Sequence, residues 1–464
     1  MVFSSILFLF YFLPAILILY YLSPKKNKNA VLFFGSLFFY AWGEPVYVGL
    51  LVLSTVFNYF TGIQIEKSDK NEKKKKTILT IGIALNLLML VVFKYTNFLI
   101  ETLNLALVHD IPLTKITLPI GISFFTFQTM SYIIDVYRKN AKAQKNYINF
   151  GTYVALFPQL IAGPIVRYNS IDEQLTKRRE TIEGFTKGIK CFAVGLSKKV
   201  LLANNIGLLW ENINAMPTSE LSVLTSWLGI IAYALQIYFD FSGYSDMAIG
   251  LGRMFGFEFE INFNYPYISK SITEFWHRWH ISLSTWFKEY VYIPLGGNRK
   301  GKARTYLNLF IVWTLTGIWH GAGMNFVAWG VYYALILILE KSFLEKVLKK
   351  LPAVFTIPYS FVIVLIGWVF FASNDIGSAV SYLGVMFGIG KNPAIDGMLI
   401  YSLRSYAVLL IIGIVAAVPL PKKVWQQISK GRNSWALTAV ILALILCTAY
   451  LIDSSYNPFL YFRF

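Results

Sequence analysis

Three of the four histidines in this 464-residue sequence, His277, His280 and His320, lie between positions 277 and 320. Imidazole can accept and return a proton near neutral pH, so this grouping favours proton-transfer chemistry. His320 lies in the sequence GIWHGAG, between Trp319 and Gly321. The glycines around it permit close approach by a helix or by a ligand, so a histidine buried in a helix-packing motif is the structural alternative.

The sequence predicts no metal site. His277 and His280 have the three-residue spacing of ligands on one helix, but no carboxylate or third histidine completes a known metal pattern. Cys191 and Cys447 lie far apart inside apolar segments and predict neither a disulfide framework nor a metal site. The absence of a P-loop, a GxSxG elbow, an HExxH motif and a Rossmann fingerprint excludes ATP hydrolysis and hydride transfer as expectations.

A second group of polar residues lies inside an apolar stretch. Gln236, Asp240 and Tyr244 recur at four-residue intervals, which places them on one face if the stretch is helical. A charged side chain inside a membrane is costly, so each such residue is a candidate for a functional site. The stripe predicts either a polar network that fixes helix packing or the lining of a cavity.

Residues 273–301 combine two histidines with three tryptophans and end in the turn sequence PLGG. The stretch is too polar to span lipid, and Trp prefers the membrane interface, which favours an interfacial or re-entrant helix. Glu274 and Arg278 are four residues apart, which predicts an ion pair on a helix.

The composition places these elements in a membrane protein. Hydrophobic residues make up 56% of the chain and charged residues only 14%, with a mean hydropathy of +0.55. A soluble domain carries about a quarter charged residues. The net charge of +18 comes from short basic clusters between apolar runs, which argues against a nucleic-acid partner. Attraction of a polyanionic substrate such as coenzyme A stays open for the cluster at Arg299.

The apolar runs predict an all-α, polytopic bundle. At about 20 residues per span they allow roughly ten to thirteen membrane helices in one domain, residues 1–464. The first run, 2–22, is followed by Lys25, Lys26 and Lys28, which favours a retained helix with its N-terminus outside the cell. Gly43, Glu44 and Pro45 predict a break within residues 31–62.

Five motifs resemble the membrane-bound O-acyltransferases, and in particular the bacterial branch that acetylates alginate and peptidoglycan. They span residues 118–330 in order, as LPIGISFFTFQTMSYIIDVYR, FPQLIAGPIVRY, ALQIYFDFSGYSDMAIGLGRMFG, FWHRWHISLSTWFKEYVYIPLGGNR and GIWHGAG. The last of them matches the family's catalytic Trp-His-Gly motif at His320, and His280 matches a second family histidine. His277 lies where relatives more often carry arginine.

The resemblance implies re-entrant and interfacial helices around a central funnel in the cell membrane. It implies acetyl transfer from a cytoplasmic thioester, acetyl-coenzyme A, with no bound cofactor. The acceptor that it implies is a polysaccharide hydroxyl such as that of alginate, either reached directly or through the serine of an extracytoplasmic SGNH-type partner that relays the acetyl group. The candidates for substrate contact or funnel lining are Asp240, Gln236, Tyr244, Trp319, Asn298 and Arg278.

Two alternatives stay open at this stage. A similar family member transfers D-alanine to teichoic acid, and only the turn sequence IPLGGNR favours the polysaccharide-acetylating branch. The other alternative is a proton-coupled transporter or exporter, in which Asp240, His280 and His320 form a proton relay.

Overall fold

The structure of the chain is a computed structural model that describes residues 1–107, 109–428, 433–453 and 456–460. Every regular element in these ranges is helical, which confirms the predicted all-α class. Helices suit a chain in lipid because each one satisfies its own backbone N–H and C=O groups.

The chain folds into two compact units, Met1–Phe192 with Asp246–Glu260 and Ala193–Ser245 with Ile261–Phe464. The first unit contains α1 (Leu13–Leu22), α2 (Lys28–Gly43), α3 (Val48–Lys67), α4 (Glu72–Leu90), α5 (Thr96–Asn104), α6 (Ile122–Tyr137), α7 (Tyr147–Ala155), α8 (Phe157–Leu160), α9 (Tyr168–Lys177) and most of α10 (Ile182–Ser197). The break between α2 and α3 confirms the turn predicted at Gly43, Glu44 and Pro45.

The second unit contains all the histidine-bearing segments singled out above. Its helices are α11 (Asn204–Asn214), most of α12 (Val223–Met254), α13 (Ile272–Arg278), α14 (Ile281–Phe287), α15 (Lys302–His320), α16 (Met324–Leu339), α17 (Glu345–Leu348), α18 (Ala353–Ala372), α19 (Ile376–Met386), α20 (Gly397–Ala416), α21 (Leu420–Ile428) and α22 (Asn433–Asp453). Short 3-10 or π-helical turns extend or join these helices, at Phe8–Phe12, Lys25–Asn27, Val91–Tyr95, Lys198–Ala203, Pro266–Ile268, Lys288–Tyr292 and Glu340–Leu344.

Seven helices within the described residues are long and apolar enough to cross a membrane. They are Val48–Lys67, Glu72–Asn104, Ile182–Asn214, Val223–Met254, Met324–Leu348, Ala353–Ala372 and Gly397–Ala416. Three further apolar helices, Phe8–Leu22, Ile376–Met386 and Leu437–Asp453, are shorter, so the seven long helices of the described residues are fewer than the roughly ten to thirteen predicted. The estimate counted apolar runs, whereas many of the helices here are too short or too polar to span lipid unaided.

Candidate active site

His280 lies at a sharp break between α13 and α14. Its backbone has φ 45° and ψ 54°, a left-handed conformation that residues other than glycine rarely adopt. The break replaces the single interfacial or re-entrant helix predicted for residues 273–301 by two short ones. Left-handed residues cluster at functional sites, where the surrounding structure holds them against the strain.

Buried polar contacts hold α13 in place. Glu340, which is 1% exposed, accepts hydrogen bonds from the N–H groups of Ile272 and Thr273 at 2.7 and 2.9 Å. The Ser271 hydroxyl accepts from the N–H of Glu274 at 3.0 Å and caps the same end of the helix. These contacts fix the start of the helix that leads into His280.

The imidazole of His280 is buried among aromatic rings. Its centroid lies 4.7 Å from that of Phe241 on α12, edge to face, and the residue is 1% exposed. His280 lies outside the seven candidate membrane spans. Burial, which disfavours the charged imidazolium, lowers the pKa of His280 to about 3. The ring is therefore neutral at physiological pH.

This low pKa predicts a pH-dependent stability. A histidine in the unfolded chain has a pKa near 6.5. Between about pH 6.5 and 3 the unfolded state is therefore protonated at this residue while His280 in the folded state is not. Stability is then lost as the pH falls below 6.5, by about 2 kcal/mol at pH 5. Thermal unfolding in detergent at pH 7 and pH 5 should show a smaller loss in His280→Gln. The exposed His277→Gln should behave as wild type, and an equal loss in all three proteins would contradict a neutral buried His280.

His320 is the last residue of α15 and is 5% exposed. Its ring lies edge to face against Trp329 at 5.0 Å and Phe371 at 5.2 Å. These contacts come from α16 and α18, so three helices fix the imidazole. Aromatic walls keep the surroundings poor in water, where hydrogen bonds and charges act more strongly than in solvent.

The ring of Trp319 contacts the rings of both buried histidines. Its ring centroid lies 5.0 Å from that of His320 and 6.4 Å from that of His280. The structure thus brings together three residues that were singled out separately in the sequence. Two buried imidazoles near one indole could handle the proton of a hydroxyl nucleophile.

The glycines near His320 serve helix packing. A Cβ on Gly330 would lie 2.5 Å from the carbonyl oxygen of Trp313 and 3.1 Å from the Cα of Gly317. Helices α15 and α16 therefore approach each other at Gly317 and Gly330. A Cβ on Gly321 would overlap the ring of Phe326, so this glycine also permits a close contact just after the end of α15.

The polar stripe lies on α12 as predicted, but it contacts residues near the C-terminal end of the unit and not the buried histidines. Asp240 pairs with the ammonium of Lys199 at 2.6 Å, and its other oxygen accepts from the N–H of Leu460 at 2.8 Å. The ring of Tyr244 lies tilted against that of Phe459 with 4.7 Å between centroids, and Gln236 is 1% exposed. The stripe therefore contacts Phe459 and Leu460, whereas the neighbouring α12 residue Phe241 contacts His280.

The remaining two candidates, Arg278 and Asn298, are partly exposed and exposed, respectively. Arg278 donates to Glu274 at 2.9 Å through Nε and to the carbonyl oxygen of Asn264 at 3.0 Å, which confirms the predicted ion pair. Asn298 is exposed in the turn after α14. The structure does not bring Asn298 into the aromatic cluster of the buried histidines.

Sequence reasoning missed Lys199, Asn262 and Glu340. Lys199 forms a short basic cluster with Lys198 in the sequence, yet it lies within the continuous helix Ile182–Asn214 and is 3% exposed. A lysine inside an apolar run was the available signal. Asn262, whose Oδ1 lies 3.2 Å from Nδ1 of His280 and accepts from the N–H of Ser282, stands among aromatic residues with no motif of its own.

Comparison with known proteins identifies the family. A sequence profile of the membrane-bound O-acyltransferase family matches residues 50–373, which contain both buried histidines. The chain belongs to this family. It is 40% identical to a probable alginate O-acetylase of Pseudomonas putida, over the whole of both chains. It is also 32% identical to the peptidoglycan O-acetyltransferase of Helicobacter pylori, over 100% of this chain and 98% of that one.

A more distant relative is the teichoic acid D-alanyltransferase of Bacillus subtilis, 30% identical over 50% of this chain and 60% of that protein. As a member of this family the protein is an O-acyltransferase, and its apolar helices make it a multi-pass membrane protein. The transporter alternative raised by the sequence is therefore not supported.

Proposed function

We propose that this O-acyltransferase moves an acetyl group from cytoplasmic acetyl-coenzyme A across the cell membrane to a hydroxyl of an extracytoplasmic polysaccharide such as alginate. The relatives aligned over the full chain carry the names of alginate and peptidoglycan O-acetylating enzymes, which supports this substrate class. The observation that carries the proposal is the pair of buried histidines, His280 and His320, both in ring contact with Trp319 within the family-matched region.

The reaction joins the acceptor oxygen to the acetyl carbonyl carbon and breaks the carbon–sulfur bond of the thioester. His320 accepts the hydroxyl proton as the oxygen attacks, because a hydroxyl is a weak nucleophile at its own pKa. The tetrahedral intermediate then expels the thiolate of coenzyme A. His320 returns the proton to that sulfur, so that the products are an acetyl ester and free coenzyme A.

The developing oxyanion needs hydrogen-bond donors. Backbone N–H groups next to Gly321 lie one residue beyond the base and are our candidates for this role. Asn298 is a poorer candidate because it is exposed in its turn.

The acceptor hydroxyl in this proposal belongs to the serine of an SGNH-type partner, which relays the acetyl group to the polymer. The N-terminus lies outside the cell in this topology, with Lys25, Lys26 and Lys28 on the cytoplasmic side.

Thioester turnover tests the proposal. Membranes containing the protein, together with an SGNH-type partner from the same gene cluster, should consume radiolabelled acetyl-coenzyme A and label the partner serine or the polymer. Membranes with a vector control should not. Turnover of a D-alanyl thioester with no use of acetyl-coenzyme A would instead favour the chemistry of the teichoic acid relative. Absence of turnover with either donor would contradict acyl transfer by this site.

A further inference from the structure

A buried carboxylate lies where α16 runs into the short π-helical turn Glu340–Leu344. Glu340 is 1% exposed and belongs to the candidate membrane span Met324–Leu348. An ionisable side chain inside a membrane span is costly and marks a candidate functional residue. Single π-helical turns that interrupt α-helices are also frequent at functional sites. Both features single out Glu340 as a residue with a part in function.

Four hydrogen-bond donors surround this carboxylate. Oε1 accepts from the N–H of Ile272 at 2.7 Å and from the hydroxyl of Tyr359 at 3.3 Å. Oε2 accepts from the N–H and the hydroxyl of Thr273, at 2.9 and 2.8 Å. Three of the four donors belong to the first two residues of α13, and the fourth belongs to α18. Glu340 is therefore bonded mainly to the start of α13.

The two oxygens hold α13 in direction as well as in place. The helix has seven residues, too few to be stable without tertiary contacts. Its aromatic contacts, such as that of Trp276 with Tyr333 of α16 at 4.9 Å, bury apolar surface, and that driving force is non-directional. Hydrogen bonds from two consecutive N–H groups to two oxygens of one carboxylate depend on distance and angle, so they fix both the rotation and the position of the helix start.

One face of α16 contacts the elements that carry both buried histidines. Trp329 on α16 lies edge to face against the ring of His320. Glu340 comes eleven residues later, about three helical turns, and so lies on the same face as Trp329. This face thus contacts His320 directly and, through Glu340, holds the helix that leads to His280.

The end of α13 passes its position on to the imidazole. The N–H of Trp279 donates to the carbonyl oxygen of Phe275 at 2.8 Å and closes the helix. His280 follows directly, in a left-handed backbone conformation that occupies only a small region of allowed dihedral angles. A displacement at the start of this short helix therefore displaces His280 relative to His320.

We propose that Glu340 is a positioning residue that holds α13 against α16 and thereby sets the separation between His280 and the general base His320. The inference rests on the proposed acetyl transfer, since that reaction is the one that uses the two histidines. Misplacement of a catalytic group by about 1 Å can lower a rate by about 10²-fold. Glu340 acts on the reaction through α13 and takes no part in the bond-making step.

Glu340→Gln tests the positioning role in the full chain. Glutamine has nearly the same volume, but its NH₂ group can only donate, so one N–H at the start of α13 loses its acceptor. We expect kcat for acetyl transfer to fall by about 10- to 10²-fold while KM for acetyl-coenzyme A changes by less than about twofold. Glu345→Gln is the matched control, because Glu345 is an exposed carboxylate at the start of α17 that pairs with Lys349. It should keep the wild-type kcat and KM.

Histidine NMR reports the position of His280 without any need for turnover. The full chain, purified in detergent and labelled on histidine, contains four imidazoles, and the His280 signals are assigned by their loss in His280→Gln. The ring lies 4.7 Å from that of Phe241, so ring currents make its ¹H shifts sensitive to small displacements. The His280 signals should move in Glu340→Gln and stay in place in Glu345→Gln. A Glu340→Gln protein that is less stable but keeps the wild-type kcat and His280 signals would contradict the positioning role.

Glu340→Asp decides the matter if the glutamine variant does not accumulate. Aspartate keeps both acceptor oxygens but sets them back by about 1.5 Å, one carbon–carbon bond, so α13 must shift to stay bonded. The His280 signals should again move, and kcat should fall with KM little changed. Wild-type signals and kcat in this variant would overturn the proposal. Wild-type protein without thioester turnover would instead refute the proposed function, whatever the His280 signals of the variants.

Discussion

Replacement of His320 by alanine is expected to lower acetyl transfer by about 10²- to 10⁴-fold, the contribution of a positioned general base. The imidazole is the proposed acceptor of the hydroxyl proton, and the rings of Trp329 and Phe371 hold it at the end of α15. The measurement is the initial rate of label transfer from acetyl-coenzyme A, normalised to the amount of protein in the membrane. His320→Gln, which retains more of the side-chain volume, separates loss of the base from loss of packing.

The sequence offers a matched control for this experiment. His277 is the same residue type in the same motif-bearing region, but it is exposed. His277→Gln should keep its activity within about twofold, since surface substitutions away from special features rarely perturb a protein. Near-normal transfer by His320→Ala, or an equal loss in His277→Gln, would contradict the assignment of His320 as the general base.

The features that could be predicted from the sequence are those that depend on neighbouring residues. The all-α class, the break at Gly43, Glu44 and Pro45, and the Glu274–Arg278 pair each follow from the character of residues a few positions apart. Helical periodicity also placed Gln236, Asp240 and Tyr244 on one face of α12. Local spacing fixes such features because the helix geometry itself sets the distances.

The partners of those residues could not be predicted in the same way. Asp240 contacts Lys199 and Leu460, which are 41 and 220 positions away in the chain. The left-handed bend at His280 also depends on a remote residue, because Asn262 supplies the acceptors for Ile281 and Ser282. Tertiary packing decides such contacts, and no periodicity in a single sequence records them.

The buried pair of Lys199 and Asp240 carries the largest expected effect on stability. Lys199→Met removes the ammonium and leaves the carboxylate, 2% exposed, without its counter-charge. Breaking a buried ion pair from one side costs about 3–5 kcal/mol because the remaining charge stays desolvated. The lysine also donates to the carbonyl oxygen of Pro458, so residues 456–460 should also lose a contact with the helix Ile182–Asn214, which carries Lys199. Thermal unfolding in detergent and limited proteolysis near the C-terminus measure the two effects.

The double variant Lys199→Met with Asp240→Leu distinguishes the electrostatic cause from a packing defect. An apolar pair of similar volume is often as stable as the ion pair it replaces, so the second substitution should restore most of the loss caused by the first. Lys198→Met is the matched single control, because Lys198 is adjacent in the helix and only half-buried, and its cost should be under about 1 kcal/mol. If the double variant were less stable than Lys199→Met, shape rather than charge would govern this site. If Lys199→Met unfolded like wild type, the buried charge pair would have no part in fixing residues 456–460.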